Sequence, residues 1–126
     1  MLDHLRRRIA AALAPAQAAT LATSGPAGLQ ADLLPCAASD LLLYLLLPRT
    51  SDHLLNLEAD PAVVVTAADW QVRGRARVLC AGERPPAAVL LDVPEAPWST
   101  VVEVRPTRVT LARRGGWGAA ETIDLE

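Results

Sequence analysis

The run Arg49-Thr50-Ser51-Asp52-His53 sets a guanidinium, two hydroxyls and an imidazole side by side, directly after the apolar stretch Leu41–Leu47 and Pro48. A helix starting here has unpaired backbone N–H groups and a partial positive charge at its tip, and the flanking side chains add the donors a phosphate takes up. The chemistry implied is capture of a small anionic molecule. A plainer role competes with it, because Ser or Thr before a helix is also the ordinary cap, and Asp52 suits the positive end.

Other chemistry-bearing residues read more plainly. Arg73, Arg75 and Arg77 share one face of an alternating segment, and the expectation is a solvated face paired with carboxylates such as Glu103 or Asp124 on neighbouring strands. Ser51 and His53 lie two apart and point to different sides of a helix, so they form no catalytic dyad. His4 belongs to the surface of the first helix. Gly115-Gly116-Trp117-Gly118 is too short and misplaced for a dinucleotide loop. Cys36 and Cys80 sit in apolar runs and read as two reduced, buried thiols. Two Cys and two His without close spacing offer no metal site. No nucleophile–base pair is visible, so hydrolysis is not expected and catalytic residues stay unassigned.

The elements that must carry these groups follow from the pattern. A chain of 126 residues is expected to form one domain, here 1–126, with a core of Leu, Val and Ala: it is 52% hydrophobic, with three Trp, one Tyr and no Phe. All twelve basic residues are Arg, and the net charge of −2 gives no long-range attraction to nucleic acid or to an anionic membrane. The charged start is no signal peptide, and Leu41–Leu47 is too short to span a bilayer, so a cytoplasmic location is expected.

Leu2, Leu5, Ile9 and Leu13 recur at helical spacing up to Pro15 and give an N-terminal helix. Ala18–Thr23 and Leu29–Ala37 read as strands around the turn Ser24–Gly28, and Leu41–Leu47 as a strand buried on both sides. A helix then runs to Ala59, stopped by Asp60-Pro61. Ala62–Ala67 and Trp70–Cys80 are strands, the second alternating most clearly, with Trp70, Val72, Gly74, Ala76, Val78 and Cys80 on one side. Glu83–Pro97 reads as a loop with a short helix, and Thr100–Arg105 and Thr107–Arg113 as strands flanking a bend or edge at Pro106. Arg114–Gly118 is a turn and Glu121–Leu125 a last short strand. The sum is a mainly β, antiparallel barrel of about six to seven strands, with an N-terminal helix and a helix after the third strand.

The order of motifs resembles the pyridoxamine 5′-phosphate oxidase-like FMN-binding split barrels. Ala19-Thr20-Leu21-Ala22-Thr23 with the turn to Gly28 and Leu34-Pro35-Cys36 is similar to that family's first hairpin. Ser51-Asp52-His53-Leu54-Leu55-Asn56-Leu57-Glu58-Ala59-Asp60-Pro61 is similar to its Ser-x-Lys/His-x-x-Asn-Leu-x-x-(Asp/Asn)-Pro segment. Val72-Arg73-Gly74-Arg75-Ala76 resembles its Val-x-Gly-x-Ala strand, and Val104–Val109 its late strand with proline. The resemblance spans about Leu2 to Leu125.

It implies a homodimer with FMN at the subunit interface and a small-molecule substrate. The flavin phosphate falls at Arg49, Thr50, Ser51 and His53, and the ring along Leu34, Pro35 and Cys36 and beside Leu47. The activity implied is that of a small flavin-dependent oxidoreductase. Asp52 stands where the family often carries a cation, and Leu29–Cys36 has no basic residue, which keeps open a degenerate barrel without cofactor, acting as a binding or structural dimer. A deazaflavin or a haem, with His53 as iron ligand, is the weaker third option.

Overall fold

The computed structural model describes residues 2–80, 82, 83, 85, 96–113 and 116–125. Its elements are α1 (Leu2–Leu13), β1 (Ala18–Thr23), β2 (Gln30–Ser39), β3 (Leu42–Pro48), α2 (Asp52–Ala59), β4 (Ala62–Thr66), β5 (Trp70–Val78), β6 (Ser99–Arg113) and β7 (Gly116–Asp124). The strands run in the order β3-β2-β1-β4-β5-β6-β7, and a further pairing of β3 with β6 closes the first six into an antiparallel barrel. β6 is long enough for both tasks: Ser99–Val104 pairs with β3, while the stretch from Arg108 onward carries β7 as an extra strand.

Alternation decides what fills the barrel. Leu21, Leu34, Cys36, Leu43, Leu45, Leu47, Val65, Trp70, Val72, Val102, Val104 and Val109 point inward and are buried, joined by Ile9 and Leu13 of α1. The two helices stopper opposite mouths: β1 begins close behind α1, and its last residue, Thr23, is bonded to α2. Arg8 of α1 and Arg113 of β6 both bind the Glu121 carboxylate on β7, fastening α1 to the extra strand.

The expected order of elements holds, with three corrections. Pro106 does not break the late segment: β6 is continuous through it, because the register with β5 shifts between Arg73 and Gly74 and leaves Thr107 as the bulged residue. Pro106, which lacks an N–H, then lies opposite Gly74, where the Arg105 carbonyl approaches so closely that a Cβ at residue 74 would meet it at 2.5 Å. The last strand starts at Gly116 rather than Glu121, so Trp117 and Gly118 are in it. Cys80 is exposed, since β5 ends at Val78; only Cys36 is buried, and burial pushes its thiol up to about 11. Most of the segment read as a loop with a short helix, residues 86–95 above all, lies outside the described residues; its end is a short 3-10 turn, Ala96–Trp98.

Two expectations follow. Gly74→Ala should lose about 1–3 kcal/mol by overpacking against unyielding backbone, read by urea denaturation, whereas Gly118→Ala, whose Cβ meets nothing, should not. Arg8 and then Arg113 hold Glu121 down from its ordinary 4.5 to about 2. The stability this adds is present above the ordinary value and is lost as the pH falls toward about 2. Thermal melts of wild type and Glu121→Gln should therefore converge across that window and stay apart above it.

Candidate functional site

α2 starts where Pro48 ends β3. The Ser51 N–H bonds back to the Pro48 carbonyl at 2.9 Å, and Ser51 caps the helix, its Oγ accepting the His53 N–H at 3.2 Å. Arg49 is tied to the 3-10 turn by its N–H to the Trp98 carbonyl, 3.1 Å away. The helix ends when Asp60 becomes extended before Pro61, with its carboxylate accepting the Ala62 N–H at 2.9 Å.

The inward side of α2 is His53, Asn56 and Leu57, spaced as one helical face. Asn56 is fully buried and its amide is completely used: Oδ1 accepts the Ala27 N–H at 2.9 Å, while Nδ2 donates to the Gly28 carbonyl at 2.8 Å and to Thr23 Oγ1 at 3.1 Å. Thr23 Oγ1 lies 2.7 Å from His53 Nδ1, and His53 Nε2 lies 2.8 Å from Asp32 Oδ2. A carboxylate accepts, so Nε2 carries a proton toward Asp32; Thr23 Oγ1 already receives the Asn56 proton, which leaves its own hydroxyl proton for His53 Nδ1. Every donor in the chain Asn56–Thr23–His53–Asp32 has an acceptor.

This order of hydroxyl, imidazole and carboxylate does not make a nucleophile. Thr23 is buried, and its oxygen already receives the Asn56 proton while giving its own to His53. Sequence reading missed Thr23, Asp32 and Asn56 as a unit. The one available signal was Asp32, the lone acid of its strand, on the parity of the inward-facing Leu34 and Cys36.

The residues expected to hold a ligand separate into two groups. Arg49 and Thr50 are exposed and Ser51 half-buried, together at the tip of α2, with Asp52 exposed beside them. His53 is not with them: its side chain is 1% exposed, turned inward, with both ring nitrogens engaged, so it gives the tip no donor and an iron no free lone pair. Leu34, Cys36 and Leu47 belong to the barrel core, so their side chains line the interior rather than an outer ligand wall. On the strand carrying them, the outward positions are Leu33, 72% exposed, and the half-buried Pro35.

A closed six-stranded antiparallel barrel, stoppered by helices and bearing a seventh strand, is a split barrel. Solved structures share it. A Clostridium acetobutylicum protein related to general stress protein 26, of the pyridoxinephosphate oxidase family, superposes with a TM-score of 0.66 at 9% identity, covering 98% of this chain and 92% of its own. A FAD-binding protein from Mesorhizobium loti gives 0.64 at 18% identity, over 85% of this chain and 89% of its own. A heme binding protein from Mycobacterium smegmatis gives 0.63 at 20% identity, over 94% of this chain but 56% of its own. No family model matches the sequence, and no curated protein does. The chain thus has the pyridoxamine 5′-phosphate oxidase-like split-barrel fold, on which both flavin and haem binders are built. Among the described residues no helix is long and apolar enough to cross a membrane.

The amide chain has a measurable consequence. Asn56→Ala strands the Ala27 N–H and the Gly28 carbonyl in the barrel mouth and should cost about 2–5 kcal/mol, read as a lower urea midpoint. Asn56→Asp, which keeps the acceptor for Ala27 but loses both donors, should fall between.

Proposed function

We propose that this chain is a small FMN-binding protein, acting as a homodimer and as a flavin-dependent oxidoreductase on a small molecule. The observation that carries this reading is the exposed tip of α2, where Arg49 and Thr50 lie in solvent at the positive end of the helix. The donor set fits a phosphate monoester. Arg49 binds it as the fixed cation, Thr50 donates, and Ser51 has a hydroxyl proton to give while its oxygen holds the His53 N–H. Leu33 and Pro35, the outward residues of β2, supply an apolar wall for a flat ring.

The flavin, when bound, supplies the redox chemistry; the chain anchors the phosphate and excludes water. Leu29 and Leu33, 86% and 72% exposed, leave an apolar patch that a second copy would cover. A deazaflavin would use the same phosphate donors. Haem has less support, because His53 is committed to Thr23 and Asp32.

One observation favours a barrel without cofactor: the family-like imidazole is spent on an internal carboxylate, and Asp52 faces any incoming phosphate. Titration with FMN, followed by quenching of flavin fluorescence, separates the two. Binding is expected, and Arg49→Ala should weaken it by about 1–3 kcal/mol while leaving the melting temperature unchanged. Absence of quenching at high micromolar FMN with a dimer in sedimentation would establish the cofactor-free alternative, and a monomer would count against a site at the subunit interface.

A further inference from the structure

Arg73 and Arg75 do not meet carboxylates across the sheet. On the β5–β6 ladder Arg73 lies opposite Arg108, and Arg75 opposite Arg105; only the next rung, Arg77 opposite Glu103, pairs opposite charges. Directly opposed residues share a face, so Arg73, Arg75, Arg105 and Arg108 form a block of guanidiniums on the outside of the barrel, all exposed. Arg108 is neutralised by Asp124 at 2.6 Å; the other three have no ion-pair partner among the described residues. Like charges in register repel, and this chain is acidic overall, so the cluster concentrates cations where the fold gains nothing from them.

Beside the block lies an open groove of about 570 Å³, the size of a small-molecule site. Arg73 and Arg75 line it, Ala22, Ala62 and Val64 form an apolar floor, and Thr107 and Asp60 add polar groups. The β6 bulge is what turns Thr107 and Arg108 together onto this face, between the buried Pro106 and Val109.

We propose that this block and groove form a second anion site, for a small organic diphosphate. The guanidiniums take the diphosphate, the apolar floor takes the ligand's body, and the Asp60 carboxylate accepts from a hydroxyl or amino group at its far end. A nucleic acid fits less well, since no exposed aromatic side chain lines the groove for base stacking and Asp60 interrupts a backbone track. The site shares no residue with the tip of α2; Leu29, which also lines the groove, is where it borders the apolar patch of the proposed dimer.

The test is calorimetric titration with adenosine 5′-diphosphate, inorganic pyrophosphate and adenosine on wild type, the double variant Arg73→Gln/Arg75→Gln, and Arg49→Ala. Adenosine diphosphate should bind wild type about tenfold or more tighter than adenosine, more weakly as salt rises, and about tenfold or more weaker to the double variant. Arg49→Ala should bind as wild type does, whatever becomes of FMN. The double variant should melt at or above the wild-type temperature, because like-charge repulsion is relieved, so its loss of binding cannot come from unfolding. Equal or undetectable binding of the diphosphate and adenosine at millimolar concentration would overturn the proposal. So would full binding by the double variant, transfer of the loss to Arg49→Ala, or preferential binding of single-stranded RNA over all three probes.

Discussion

The constraint on which this barrel turns is the burial of three polar side chains, Thr23, His53 and Asn56, at one mouth, closed off by the exposed carboxylate of Asp32. An unpaired amide or imidazole in such a place costs about 1–3 kcal/mol each, so the arrangement survives only because Asn56, Thr23, His53 and Asp32 satisfy one another in series. The chain ties the β1–β2 hairpin to α2, 21 to 33 positions further along the sequence. It also sets the β1–β2 turn, since Asn56 holds Ala27 and Gly28 and presses against Gly25, where a Cβ would come within 2.8 Å of its Oδ1. Glycine at residue 25 is thus a packing requirement of Asn56.

With its inner face pinned, α2 has no freedom in what it shows outside. The run Ser51-Asp52-His53-Leu54-Leu55-Asn56-Leu57 is divided by the helical period: His53, Asn56 and Leu57 go to the barrel, while Ser51 and Asp52 stay at the tip beside Arg49 and Thr50. A sequence motif that reads as a single ligand site is therefore two devices, a stopper and a smaller phosphate seat. The seat depends on the stopper, because the direction of the helix start is fixed by what the opposite face buries.

The elements with a clean period were legible from the sequence. β1 was bounded correctly by the small and β-branched residues of Ala18–Thr23, and β3, expected over Leu41–Leu47 from its apolar run, lies one residue further on and takes in Pro48. What could not be read were facts about partners across the sheet. Pro106 signals a break in isolation, yet opposite a glycine and with a bulge to absorb the register it sits inside a continuous strand. Arg73 and Arg75 suggest a solvated face whose neighbours are acidic, and only the ladder shows arginines there instead. His53 in a polar run reads as a surface donor; the acid that draws it inward is 21 positions away in sequence. Each error is one of tertiary pairing, which periodicity does not encode.

Asp52 decides how strongly the outer seat can hold an anion. In the free chain its carboxylate lies in the first turn of α2 and offsets the helix dipole, worth about 0.3–1 kcal/mol at an exposed site. A phosphate arriving at the tip would occupy the same positive end, so it displaces that benefit and meets a like charge besides. Against this stands Arg49, whose charge-assisted bond contributes about 1.5–3 kcal/mol, with neutral help from Thr50 and Ser51. The difference is positive but small. The α2 seat thus suits a ligand whose apolar part contributes its own share against Leu33 and Pro35, and it discriminates against bare phosphate, which brings charge and nothing else.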